Sequence, residues 1–268
     1  LLRVFFLQNT MKELAQGSVF RAKHVHVIGA GTMGGDIAAW CALRGLHVTL
    51  QDQTPERIAP AIKRAYRLFS KKLKKPRLIQ QAMDRLQSDV KGTGVRGADV
   101  IIEAIFEDLS VKQELFQHIE KEARAEAILA TNTSSIPLED IADVLTNPER
   151  LIGIHFFNPV SKMPLVEVVQ SKLNDQQLVK SAAAFVKQIS RSPLVVRSSP
   201  GFLVNRLLMP YLNEAMKLFE EGVPKETIDQ VALDFGMPMG PIVLADTVGL
   251  DICLSVATNL CEHFGGAV

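Results

Sequence analysis

Short apolar runs alternate with stretches of helical period along most of the chain. The runs predict strands over 25–28, 48–50, 100–102, 127–130, 151–154, 165–169 and 194–197, with helices over 32–44, 55–75, 109–124, 138–145 and 176–189 between them. The strand runs are continuously apolar instead of alternating, the mark of a mainly parallel sheet covered on both faces. Residues 1–16 read as a short helix with Phe6, Met11 and Leu14 on one side, ended by Gly17-Ser18. Ser198-Ser199-Pro200-Gly201 breaks the alternation, and beyond it the pattern predicts only helices, over 202–221, 225–235 and 241–263. The chain therefore divides near residue 199 into an α/β domain and a smaller all-helical one, which at about 70 residues is thin for an independent core.

Composition narrows the function classes. Of 268 residues, 47% are hydrophobic and 22% charged, which excludes disorder. Lys and Arg (30) nearly balance Asp and Glu (29), so no overall field favours nucleic acid, and few aromatics are present for base stacking. No apolar run reaches the roughly 18 residues of a membrane span. The start, Leu1 to Leu7, is too short for a signal peptide and lacks a small-residue cleavage site. Cys41, Cys253 and Cys261 make no disulfide framework or zinc motif, so a reducing compartment and no metal are expected.

Candidate chemistry begins at Gly29-Ala30-Gly31-Thr32-Met33-Gly34, which follows the first strand and opens a helix. Gly29 permits the tight turn, Gly31 lets a pyrophosphate approach the backbone, and Gly34 lets the helix pack close. The helix N-terminus then offers N–H groups and positive dipole to phosphate. Asp52 ends the second strand about 20 residues on, where a carboxylate holds an adenosine ribose and repels a 2′-phosphate. The expected fold is a Rossmann-type, doubly wound sheet that binds NAD.

Two further patterns stand out. From Arg57 to Arg77 there are nine Lys or Arg and no acid, densest at Lys71-Lys72-Leu73-Lys74-Lys75. This is either a solvated face or a local site for a polyanion such as coenzyme A. Two apolar strands, 151–154 and 165–169, are joined by a turn containing Pro159 and Pro164; His155 ends the first and Glu167 lies inside the second. A carboxylate in so apolar a strand needs a partner. A hairpin return would pair it with the imidazole, fixing the tautomer as a general base requires. Thr131-Asn132-Thr133-Ser134-Ser135 follows a strand, where ligands of open α/β sheets bind, and one of its hydroxyls is expected to cap the next helix. Asn205 is a polar residue in an apolar helix start.

Together these segments resemble the L-3-hydroxyacyl-CoA dehydrogenase family over about residues 22–260. The matching stretches are Gly29–Gly34, Glu103-Ala104-Ile105-Phe106-Glu107, Asn132-Thr133-Ser134-Ser135, His155-Phe156-Phe157-Asn158-Pro159, Leu165-Val166-Glu167 and Pro200-Gly201-Phe202-Leu203-Val204-Asn205-Arg206. The resemblance implies His155 as the base, Glu167 as its orienting carboxylate, and Ser134 and Asn205 as hydrogen-bonding partners of the substrate. It places Gly29, Gly31, Thr32, Met33, Gly34, Asp52, Glu107, Lys112, Ser134 and Asn158 along NAD. It sets coenzyme A of an acyl-CoA substrate near the basic helix, by Lys71, Lys72 and Lys75. One hydroxyl that helps bind coenzyme A in some relatives is replaced at or next to Leu68. The leader Val4-Phe5-Phe6-Leu7-Gln8 resembles the linker helix that follows a hydratase domain in multifunctional β-oxidation enzymes. The domains expected are thus a linker at 1–21, the NAD-binding domain at 22–199 and a helical domain at 200–268, shortened at its end. Such a segment calls for self-association or a downstream helical domain, with a thiolase subunit as a further partner in the complex and the bacterial cytoplasm as its compartment. Two alternatives stay open: a dehydrogenase of small hydroxy acids, and a non-catalytic, crystallin-like member of the family.

Overall fold

The computed structural model describes residues 18–264. The leader and its expected helix lie outside the described residues. The chain forms two compact units: one runs up to Thr133 and includes Pro137–Ser198, the other joins Ser134–Ile136 to the chain from Ser199 on.

The first unit is built on one eight-stranded sheet. Its strands are β1 (His24–Ile28), β2 (His47–Gln51), β3 (Leu86–Ser88), β4 (Val100–Glu103), β5 (Ile128–Thr131), β6 (Leu151–Phe156), β7 (Leu165–Gln170) and β8 (Ser192–Arg197), in the spatial order β3-β2-β1-β4-β5-β6-β7-β8. Strands β1 to β6 are parallel; β7 turns back antiparallel to β6, and β8 runs parallel to β7. The order reverses direction about β1, leaving a crevice at the carboxyl ends of β1 and β4. The helices are α1 (Thr32–Leu43), α2 (Pro55–Leu73), α3 (Pro76–Asp84), α4 (Leu109–Glu122), α5 (Leu138–Ala142) and α6 (Gln176–Gln188). Ile37 and Ala38 of α1, Ala61 and Ala65 of α2 and Phe185 of α6 pack with Val25, Val27, Ile102 and Ile154 in one core. Strand alternation sends Ile101, Glu103, Leu129, Thr131, His155 and Glu167 to the opposite face. There Phe116 and Ile119 of α4 and Leu138 and Ile141 of α5 are buried.

The second unit is helical, with no strand among the described residues. It contains α7 (Val204–Glu220), α8 (Lys225–Phe235), α9 (Pro241–Val248) and α10 (Leu250–Phe264), with Met209, Leu212, Val256 and Leu260 at its centre.

Two local expectations are corrected. The helix expected over 55–75 ends at Leu73, because Lys74 takes a left-handed conformation (φ 58°) and Pro76 starts a new helix, α3. The helix expected over 241–263 divides at Gly249, whose φ is 105°. At the N-terminus of α5, Ser198 Oγ accepts from Leu138 N at 2.9 Å. Strand β3 had no signal of its own.

Candidate functional site

The glycine turn lies between β1 and α1. Gly29 has φ +100°, and a Cβ there would lie 2.5 Å from the Ala104 carbonyl oxygen. A Cβ on Gly34 would come within 1.9 Å of the Gly29 carbonyl oxygen, so the first turn of α1 can approach β1 only without a side chain. Gly31 differs: among the described residues nothing lies within 4 Å of its Cβ position, at the start of α1. No side chain among the described residues caps that helix start. An uncapped N-terminus beside an open glycine suits a pyrophosphate. Thr32 is exposed and Met33 half-buried in the first turn. Asp52, just after β2, accepts from Ala30 N at 2.7 Å through Oδ2 and from Gln53 N at 2.7 Å through Oδ1. Its carboxylate therefore ties the glycine turn to the end of β2.

The loop after β4 adds a buried charge network. Glu103 is fully buried and accepts from Lys112 Nζ (2.6 Å), Thr131 Oγ1 (2.6 Å) and Ile105 N (2.8 Å). Lys112 is also fully buried and lies 3.3 Å from Glu107 Oε2. Thr133 Oγ1 donates to the other Glu107 oxygen. Glu107, partly exposed, thus presents the network to solvent, while Lys112 acts from beneath it. Sequence reasoning gave Glu103 no role. Its signal was the same as for Glu167: an acid closing an apolar strand, Val-Ile-Ile-Glu, must find a partner.

The antiparallel return of β7 sets His155 directly opposite Glu167. His155 Nδ1 and Glu167 Oε2 are 2.9 Å apart, with the imidazole side chain 7% exposed and the carboxylate wholly buried. A proton on Nδ1 donates to Glu167 and directs Nε2 to other chemistry. The ring of Phe157 meets the imidazole edge-on at 4.6 Å. Asn158 is exposed in the turn that follows.

In the second unit, Asn205 Nδ2 donates to the Ser134 carbonyl oxygen at 3.4 Å, and both residues are half-buried. Lys71, Lys72 and Lys75 are exposed, and none pairs with a carboxylate among the described residues. They sit on the last turn of α2 and at the N-cap of α3, so the basic stretch spans two helices, not one. Burial pushes the Cys41 thiol up to about 12, which makes it inert. Among the described residues no His, Cys, Asp and Glu group could hold a metal ion, and no helix is long and apolar enough to cross a membrane.

A doubly wound sheet, an open glycine turn and an acid after β2 define a dinucleotide-binding protein. Comparison with known proteins narrows the class. Residues 24–199 match the 3-hydroxyacyl-CoA dehydrogenase NAD-binding domain, and residues 201–267 match the C-terminal domain of the same enzymes. The chain belongs to the 3-hydroxyacyl-CoA dehydrogenase family, a family of NAD-dependent oxidoreductases. It is 37% identical over 270 residues to a fatty acid oxidation complex subunit alpha from a Shewanella species, covering 98% of this chain and 38% of that protein. The chain thus spans well under half the length of that relative. Among solved structures, FadB2 of M. tuberculosis superposes with a TM-score of 0.87 at 32% identity, over 91% of this chain and 88% of that one. The 3-hydroxybutyryl-CoA dehydrogenase of Escherichia coli gives 0.87 at 34% identity, over 92% of this chain and 54% of that one.

Proposed function

We propose that this chain oxidises L-3-hydroxyacyl-CoA to 3-oxoacyl-CoA with NAD, as the dehydrogenase segment of a multifunctional β-oxidation enzyme. The observation that carries the reading is the buried His155–Glu167 pair, 2.9 Å apart on a dinucleotide-binding sheet. When bound, NAD supplies the acceptor for the hydride that leaves substrate C3 with its electron pair. His155 takes the 3-hydroxyl proton on Nε2, the ring nitrogen opposite the one Glu167 holds, and the C3–O bond becomes a carbonyl. Glu167 orients the ring and stabilises the imidazolium that forms. Ser134 and Asn205 hydrogen-bond the reacting oxygen. Gly29, Gly31, Thr32, Met33 and Gly34 would receive the pyrophosphate; Asp52, Glu107 and Asn158 would line the rest of the cofactor, with Lys112 acting from beneath Glu107. Lys71, Lys72 and Lys75 hold coenzyme A phosphates, a role supported by their exposure and by the lack of carboxylate partners among the described residues.

The helical residues 200–268 form a separate domain in this reading. Leu207, Val231, Phe235 and Leu254 stand exposed on it, which supports self-association or cover by a further helical domain. Sedimentation of the chain as a monomer at high concentration, with no gain in stability from added helical sequence, contradicts that part. The name of the curated relative supports a larger assembly, for which a thiolase is the candidate partner, in the bacterial cytoplasm.

The test is reduction of acetoacetyl-CoA followed by loss of NADH absorbance. Turnover with the thioester, and none with free acetoacetate, is expected. NADH binding without turnover of any acyl-CoA would overturn the assignment.

A further inference from the structure

We propose that Asn132 is a positioning residue for His155, an inference that rests on the role given to His155 above. Strand β5 pairs with β6 only as far as Thr131 opposite Gly153. Strand β6 then runs on for three residues, Ile154, His155 and Phe156, whose strand neighbour among the described residues is β7 alone. The side of β6 that β5 has left must still be satisfied, since a buried unpaired N–H is costly. The Asn132 side chain does this: Oδ1 accepts from Phe156 N at 2.9 Å. The assignment of oxygen to this position follows from chemistry, because the backbone N–H can only donate.

Asn132 is itself anchored on the far side. Its backbone N donates to the Glu103 carbonyl oxygen at 2.8 Å. One residue therefore brackets β4 and β6 across the gap that β5 opens by turning away. Glu103 is fixed in turn by Lys112 and Thr131, so the bracket stands on the buried charge network. His155 is held between two constraints. Glu167 on β7 sets its ring, and the Asn132–Phe156 bond sets the backbone next to it. Without the second, the last turn of pairing at the end of β6 is held from one side only, and the imidazole loses its fixed aim. Displacement of a reacting group by about 1 Å can cost 10²-fold in rate.

The experiment compares the wild type with Asn132→Ala and Asn132→Asp. The Asp variant keeps an acceptor oxygen in the same place. Two readouts are taken: kcat and KM for acetoacetyl-CoA reduction by NADH, and the ¹⁵N NMR shifts of the neutral His155 ring, which report the tautomer. Asn132→Ala is expected to lose about 10- to 100-fold in kcat with the KM for NADH unchanged. Its ring is expected to show mixed tautomers where the wild type shows only Nδ1–H. Asn132→Asp should restore a single tautomer and most of kcat. Unchanged kcat in Asn132→Ala overturns the proposal, and so does a single Nδ1–H tautomer in that variant. If Asn132→Ala does not fold, Asn132→Asp decides: loss of the tautomer or of kcat in the folded variant overturns the proposal, and retention of both supports it. A wild type that reduces no acetoacetyl-CoA would refute the function, while the tautomer comparison would still test the bracket.

Discussion

Asp52 shows how one side chain serves two ends. Its two oxygens accept from Ala30 N and Gln53 N, so it closes the glycine turn, and the proposed function also gives it the ribose. Asp52→Ala is therefore expected to weaken NADH binding and to narrow the preference for NADH over NADPH, because the charge that repels a 2′-phosphate is gone. Steady-state kinetics with both cofactors measure this, and an unchanged preference would refute the role. Glu167 was legible from sequence because an acid between valines has no other way to be tolerated. Glu103 obeyed the same rule unread, and Lys112, on a helix of mixed polarity, gave no sign that it would be fully buried beneath Glu107.

At the scale of elements, the glycine turn leaves least room for change. Gly34→Ala puts a methyl within 1.9 Å of the Gly29 carbonyl oxygen, where the backbone must shift. A stability loss of about 1–3 kcal/mol or more is expected, with NADH affinity falling too. Thermal unfolding and a binding titration check it, and a variant as stable as the wild type would contradict the packing. The central strands were readable because burial on both faces makes them apolar throughout. Strand β3 was not: it has three residues, only Leu86 of them buried, at the edge of the sheet. Nor were the ends of helices among lysines, since Lys74 closes α2 by its backbone conformation, which its residue type does not announce. The β6–β7 return was foreseen as a hairpin; its register, which sets the His155–Glu167 distance, became visible only in the fold.

On the scale of the whole molecule, stability should follow pH through histidines remote from the proposed chemistry. Burial lowers the pKa of His26, against the raising effects of Gln51 and Asp89, with His24 adding to the lowering. Burial also lowers His24, with His47 and Arg124 in the same sense and Gly97 and Asp99 opposing. The unfolded chain takes up these protons near the ordinary value of about 6.5. It therefore binds more protons than the folded chain below that pH, so the stability these residues contribute is complete above it and is lost as pH falls. The Tm is expected to drop between about pH 7.5 and 5.5. The drop should be shallower in His26→Gln; an equal slope in both would refute the cause.

The most direct test of the account sets turnover against cofactor binding in His155→Ala. If the imidazole is the base, acetoacetyl-CoA reduction falls by about 10²–10⁴-fold, while the NADH dissociation constant stays that of the wild type. Turnover that survives the substitution, or NADH affinity that collapses with it, would contradict the role on which the functional reading stands.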